Sequence, residues 1–228
     1  MSKIISFPSP NYNDRPPSTI TDTLVIHYTG MSETTQALKR MCNPITKVSA
    51  HYLIDEAGQI FKLISEKKRA WHAGISSWRG NCNINDRSIG IELANPGHEF
   101  GYQKFPEPQI NALIELANKI ITRHQIPARN IVGHSDIAPT RKKDPGELFD
   151  WHELALGGIG YWPKDLKINI VKKINETNFE SALKAYGYET SNLPATILAF
   201  QRHFLPMRCG AAPDQEMFRT LEILINNL

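Results

Sequence analysis

Cysteine is the scarcest chemical resource in this sequence, and its use is informative. Cys42, Cys82 and Cys209 are odd in number and widely spaced, and no Cys-x-x-Cys pair is present. That pattern argues against a disulfide framework, and it leaves histidine and carboxylate as the material for any zinc site. Free thiols suit a reducing compartment. Net charge is small as well. Lys and Arg number 26 against 23 Asp and Glu, a balance of +3 that lacks the basic footprint of a nucleic-acid partner. Short clusters such as Lys67-Lys68-Arg69 read as solvated surface. No apolar run approaches the ~20 residues of a membrane span. The opening segment has neither an apolar h-region nor a small-residue cleavage site, so the expected location is cytoplasmic, with the periplasm by a non-classical route as the alternative. What is present is a 41% apolar fraction over 228 residues, enough for one large domain or for a medium domain with a small one.

Proline, glycine and apolar periodicity divide the chain. Pro8, Pro10, Pro16 and Pro17 make residues 1–20 an extended arm. Thr23 to Ile26 is a β-branched run that reads as a buried strand ending on His27. A turn follows, then a helix from about Ser32 to Cys42 with Ser32 as its N-cap. Ser49 to Ile64 reads as a hairpin, with strands Ala50–Ile54 and Gln59–Ile64 about an Asp55–Gly58 turn. Ser88 to Ala94 is another strand, with Ile89, Ile91 and Leu93 on one face and Gly90, Glu92 and Ala94 on the other. Ile110, Leu113, Ile114, Ala117, Ile120 and Ile121 recur at helical spacing within Pro108–His124. Ile131-Val132 is the next strand. This order predicts an α/β fold with one central mixed β-sheet flanked by helices. Beyond Tyr161-Trp162-Pro163 the pattern becomes helical at Ile168–Ile174, Phe179–Tyr186, Ala195–Phe204 and Glu216–Ile225. The expected division is 1–164 and 165–228, the second unit a small three-helix domain near the size limit for an independent core and so docked on the first.

The loop from Val132 to Gly146 carries His134 and Asp144, ten positions apart and separated by a proline-constrained path. They can converge on a metal, or each can cap a turn. His27, at the carboxyl end of a strand where α/β sheets place their ligands, is the candidate for a third donor, a hydrogen-bonded strand-end histidine being the alternative. Two neutral imidazoles and one carboxylate would leave zinc with enough residual charge to lower the pKa of a bound water. Glu92 is a carboxylate in an apolar strand with small residues beside it, costly to bury unless paired or working, and it suits a general base. Lys142 shares a side with Asp144 in an extended segment and can stabilise an oxyanion, with Lys143 as the alternative. Trp71-His72 is either packed or part of a binding wall. Together these roles make up metal-assisted amide hydrolysis.

Five segments then carry a resemblance: Leu24-Val-Ile-His-Tyr-Thr29, Val48-Ser-Ala-His-Tyr-Leu-Ile-Asp55, Ala70-Trp-His-Ala-Gly74, Ser88-Ile-Gly-Ile-Glu92, and Gly133-His-Ser-Asp-Ile-Ala-Pro139 running on to Gly146. In content and order they resemble the zinc N-acetylmuramoyl-L-alanine amidases of the AmpD and AmiD types. The resemblance implies zinc on His27, His134 and Asp144, a catalytic pair Glu92 and Lys142, and the mixed sheet shared with peptidoglycan recognition proteins. It implies cleavage of the amide between N-acetylmuramic acid, or its 1,6-anhydro form, and L-alanine of the stem peptide, so the partners are muropeptides or intact peptidoglycan. It also suggests Lys47 as a cation for stem-peptide carboxylates, with Arg79 and Arg87 as alternatives, and His51, Trp71 and His72 as cleft walls. The segments Ala182–Tyr188, Ala199–His203 and the closing Leu221–Leu228 helix resemble a peptidoglycan-binding module, and Gly157–Trp162 resembles an AmiD-type junction. The layout is mixed, because AmpD-type enzymes usually lack that module and AmiD-type enzymes generally carry an export signal. A non-catalytic peptidoglycan sensor on the same scaffold is the competing reading. A sensor usually loses a metal ligand, and all three positions are intact here. A zinc peptidase cutting within the stem would share the chemistry and differ in the scissile bond.

Overall fold

Alternation along the apolar runs decides where the sheet lies. In the computed structural model, which describes residues 3–163 and 172–227, the run Thr23–Tyr28 forms β3, Ser88–Leu93 forms β9 and Ile131–Gly133 forms β10. The hairpin strands are β4 (Tyr52–Ile54) and β5 (Ile60–Lys62), and Ile4–Ser6 is β1. They make a six-stranded sheet in the order β1-β5-β4-β9-β3-β10. Strands β4, β9, β3 and β10 run parallel, and β5 pairs antiparallel to β4, so the sheet is mixed.

The first twenty residues are more than an arm. β1 adds to the sheet edge, and β2 (Tyr12–Asp14) pairs antiparallel with β6 (Lys68–Ala70). Arg15 then donates to the carbonyls of Glu66, Asn85, Asp86 and Ser88. A cation satisfying buried carbonyls is a local solution that periodicity does not reveal. Of the Lys67-Lys68-Arg69 cluster, Lys67 is exposed, while Lys68 and Arg69 belong to β6 and pair with Asp14 and Asp86.

The helices divide between the two faces. α1 is Thr34–Cys42 and α3 is Glu107–His124; between them lies the short α2 (Gly97–Phe100). Glu33 occupies the N-cap of α1 without a side-chain bond, while the Ser32 hydroxyl goes to Gln36, so the expected serine cap is absent. On one face Leu24, Ile26, Ile89, Ile91 and Leu93 pack against Ile110, Leu113, Leu116, Ala117 and Ile120 of α3 in one apolar cluster. The opposite face holds two clusters. Leu53 packs with Ala37, Leu38 and Met41 of α1. Val25 and Val132 pack with Trp78 of the small hairpin β7 (Ser77–Trp78) and β8 (Asn81–Cys82), and with the C-terminal helices α6 (Phe179–Tyr186), α7 (Leu193–Phe204) and α8 (Gln215–Ile225). These helices therefore share a core with the sheet. α4 (His134–Ile137) and α5 (Trp151–Leu156) complete the order. Of the helix expected at Ile168–Ile174, residues 168–171 lie outside the described residues, and so do the 164/165 boundary and Leu228; residues 172–174 are not helical. Among the described residues all three cysteines are free, and no helix is long and apolar enough to cross a membrane.

A buried carboxylate ties the hairpin side to α3. Glu66 accepts from the Tyr52 hydroxyl at 2.6 Å, from Arg123 Nη1 at 2.5 and 2.6 Å, and from His124 Nε2 at 2.6 Å. Burial alone would raise its pKa, but these donors outweigh it and bring the group down to about 2. The folded value lies below the unfolded one of ~4.3. Its contribution is therefore present above about pH 4.3 and is lost as pH falls toward 2. Because the Arg123 side chain is 55% exposed, the contribution is discounted to about 1–2 kcal/mol. Glu66→Gln should lower the melting temperature at pH 6–7, and the gap to wild type should close between pH 4 and pH 2. A gap that stays constant down to pH 2 would show that ionisation of Glu66 does not contribute.

Candidate metal centre

Parallel register assembles the centre. On β3 and β9, His27 stands directly opposite Glu92, and on β10 Gly133 stands opposite Ile26, so His134 follows at the same level. All three come from the carboxyl ends of adjacent strands, on the face that holds Val25 and Val132. The loop after α4 then returns, and its Asp144 carbonyl accepts from Ser135 N at 2.9 Å. His27 Nδ1 lies 2.9 Å from His134 Nδ1, and both atoms lie 3.0 Å from Asp144 Oδ2. All three residues are buried.

The outer nitrogens decide what those contacts are. His134 Nε2 faces the Ala73 carbonyl at 3.1 Å, so it carries the proton and Nδ1 keeps a lone pair. His27 Nε2 lies 3.0 Å from His72 Nδ1, and His72 Nε2 lies 3.2 Å from Ser88 Oγ. The tautomer that donates from His27 to His72 and from His72 to Ser88 leaves a lone pair on His27 Nδ1 too. Two imidazole lone pairs and a carboxylate oxygen then converge with no proton between them. That arrangement repels itself unless a cation lies at its centre, and the spacing suits one ion with bonds of ~2.0–2.2 Å. The donor set fits a divalent metal. Burial, with His134 nearby, lowers His27 to about 4, so its ring is neutral and available at pH 7. Burial alone would raise Asp144, but His134 and His27 hold it well below the usual carboxylate range.

Space around the centre is cut to fit. A Cβ on Gly90 would meet the His72 ring at 2.5 Å, so the room above Gly90 in β9 is what admits the histidine that supports His27. Beside it Glu92 has one oxygen, Oε2, that is buried and has no partner. Burial and then the Asp144 charge raise its pKa well above the usual value, while Lys142 opposes them. Lys142 is half-buried and acts on both Glu92 and His27. A cleft of about 640 Å³ opens over these groups, lined by Tyr28, His98, Trp71, Glu92, Lys142 and Asp144 among others. A second cavity of about 490 Å³, bearing Lys47, Arg69, Arg141 and Lys142, approaches His134 from the other side.

His27, Glu92, His134, Lys142 and Asp144 thus come together as expected, and Trp71, His72 and Lys47 line the cavities. His51 does not. It is fully buried, accepts from Gly90 N at 3.0 Å and faces the Lys68 carbonyl at 3.1 Å, so it braces β9 instead of walling the cleft. Arg87 is paired with Asp22, and Arg79 reaches Asn130, which removes both alternatives to Lys47 from the cavities. Sequence reasoning missed Arg141, which donates to the Ala73 carbonyl at 3.0 Å, and the Tyr28–His98 pair at 2.8 Å. The adjacency of Arg141 to Lys142 was the available signal for the first. His98 lies in α2, a four-residue helix too short to show periodicity, and offered none.

Known proteins resemble this chain in sequence and in fold. The profile of the family described as N-acetylmuramoyl-L-alanine amidase matches residues 15–147. The N-acetylmuramoyl-L-alanine amidase AmiD of Escherichia coli (strain K12) is 38% identical over 227 residues, covering 89% of this chain and 81% of its own. The 1,6-anhydro-N-acetylmuramyl-L-alanine amidase AmpD of the same organism is 34% identical over 161 residues, covering 63% of this chain and 86% of its own. A solved complex of AmiD from E. coli with the substrate anhydro-N-acetylmuramic acid-L-Ala-D-gamma-Glu-L-Lys superposes with a TM-score of 0.81 at 34% identity, covering 93% of this chain and 92% of that one.

If Gly90 is glycine in order to admit His72, Gly90→Ala should displace that ring and lower divalent-metal affinity by ~10–100-fold, the usual effect of losing a supporting partner. Titration against a chromophoric chelator reads this directly. Wild-type affinity in the variant would show that His72 does not support His27.

Proposed function

The chain belongs to the N-acetylmuramoyl-L-alanine amidase family, and from that premise we propose that it is a zinc-dependent hydrolase of the amide joining N-acetylmuramic acid, in its ordinary or 1,6-anhydro form, to L-alanine of the peptidoglycan stem peptide. The observation that carries the zinc reading is the convergence of three proton-free donors, His27 Nδ1, His134 Nδ1 and Asp144 Oδ2, within 3.0 Å of one another. The substrate reading is supported by the relatives' own substrate and by a cleft of about 640 Å³, large enough for a sugar and the first residues of a peptide.

Zinc held by His27, His134 and Asp144 would supply Lewis-acid activation of water and of the scissile carbonyl. The remaining roles belong to the chain. Glu92, level with His27 and with one oxygen unpaired, takes the proton of the attacking water and passes it to the departing amine. Lys142 lowers the cost of ionising Glu92 and offers its ammonium to the oxyanion. Lys47 and Arg141, at the rim of the second cavity, provide positive charge for stem-peptide carboxylates. Trp71 and His72 form the wall between the two cavities. Residues 165–228 are proposed to be a peptidoglycan-binding-like helical domain attached to a catalytic domain of residues 1–164.

Mass spectrometry of the products from an anhydromuramyl-tripeptide tests the reaction. Free tripeptide and anhydromuramic acid should appear, hydrolysis should stop in excess chelator, and added zinc should restore it. Shorter peptides, or full activity in chelator, would overturn the reading. Glu92→Ala should reduce turnover by ~10²–10⁴ while zinc stays bound. A variant within twofold of wild type would remove Glu92 from the mechanism.

A further inference from the structure

Three of the groups that hold the loop carrying His134 and Asp144, namely Tyr188, Arg202 and His203, reach it from outside the region matched by the family profile, which ends at residue 147. Asp136, two residues after His134, is 1% exposed. Such a buried carboxylate needs donors, and it has three. Gly133 N donates to Oδ2 at 2.7 Å, Tyr188 donates its hydroxyl to Oδ1 at 2.8 Å, and His203 donates from Nδ1 to Oδ2 at 2.7 Å. Two of the three come from the C-terminal segment. The His203 ring is fixed in plane between Trp151, stacked at 3.8 Å, and Phe204 at 4.0 Å.

The neighbouring residue of α7 reaches the other end of the same loop. Arg202 Nε is buried, and it lies 3.6 Å from Glu147 Oε2. Glu147 accepts from His98 Nε2 at 3.2 Å, and His98 Nδ1 accepts the Tyr28 hydroxyl at 2.8 Å. Tyr28 and His98 line the cleft.

We propose that α7 is a positioning element of the metal centre: His203 through Asp136, and Arg202 through Glu147, hold the two ends of the loop that delivers His134 and Asp144. Neither residue belongs to the donor group or lines either cavity. A further function is thereby assigned to the C-terminal helices, beyond any attachment to the wall. With two of its donors removed, Asp136 would keep a buried charge and a single partner, and the start of α4, where His134 lies, would lose the contact that sets its orientation. The inference rests on the zinc reading above.

The test uses the full chain. Wild type, His203→Leu, His203→Asn and Arg202→Met are titrated with zinc against a chromophoric chelator, with circular dichroism confirming the fold, and kcat and KM are measured at saturating zinc on an anhydromuramyl-tripeptide. His203→Leu should bind zinc ~10–100-fold more weakly and lose kcat, with KM within twofold. His203→Asn, whose amide can replace the Nδ1 donor, should recover most of both. Arg202→Met, acting at the Asp144 end of the loop, should raise KM severalfold and weaken zinc binding less than His203→Leu does. Should His203→Leu not fold, Tyr188→Phe, which removes one hydroxyl and keeps the ring, is read for the same loss of affinity. Wild-type affinity and kcat in a folded His203→Leu or Tyr188→Phe, with only the melting temperature lowered, would overturn the proposal. An unchanged KM in Arg202→Met would overturn its second half. If wild type itself binds no zinc, the proposed function falls and this inference falls with it.

Discussion

The structure depends on keeping three electron-rich atoms pointed at one another. His27 Nδ1, His134 Nδ1 and Asp144 Oδ2 would turn apart if their side chains were free. Each imidazole is prevented from doing so at its far nitrogen, His134 by the Ala73 carbonyl and His27 by His72. For His134 the partner fixes the tautomer as well as the direction, because a carbonyl can only accept, and for His27 the His72 ring fixes the direction. Much of the surrounding chain serves the partners in turn. Asn85 Oδ1 accepts from His72 N at 3.0 Å and from Ala73 N at 2.8 Å, which holds the segment supporting both histidines. Gly90 leaves the volume that the His72 ring fills.

The two faces of the sheet do different work. One is sealed by α3 against a continuous apolar surface. The other is divided, with α1 over Leu53 and the C-terminal helices over Val25 and Val132, and the candidate metal centre opens between these clusters. Apolar cover on both sides keeps water from the rear of the site, where it would compete for the imidazole hydrogen bonds. The third cluster also explains how a C-terminal segment of this size is stable. It need not bury a complete core of its own, because Val25, Val132 and Trp78 contribute to it.

The central strands, the sheet class and the five candidate residues that the fold brings together were legible because each left a periodic or compositional trace. Glu92 stood out as a charge within an alternating strand, and His27 as the polar end of a β-branched run. What escaped was set by tertiary neighbours. His51 and His72 look alike in sequence, each a histidine beside an aromatic residue, yet one braces β9 from the interior and the other holds the His27 ring. The N-terminal segment looked like an arm because proline suppresses periodicity, but its strands need only three residues each to join a sheet edge. Ser32 looked like a cap, whereas the turn after Gly30 places Glu33 there instead. Asp136 drew no reading of its own, since its partners Tyr188 and His203 lie more than fifty positions away.

Strand register links the core to the chemistry. Because side chains alternate, moving β9 by one residue against β3 would carry Glu92 to the opposite face of the sheet from His27. The same slip would expose Ile89, Ile91 and Leu93 to the polar side, although all three are fully buried against α3. At about 1.5–3 kcal/mol for each buried side chain, that error costs roughly 5–9 kcal/mol. This is comparable with the whole net stability of a typical domain, about 5–15 kcal/mol. The pairing of His27 with Glu92 therefore needs no contact between the two side chains to maintain it. It is maintained by the apolar residues on the far side of the same strands, and substitutions there would be felt at the metal centre without touching it.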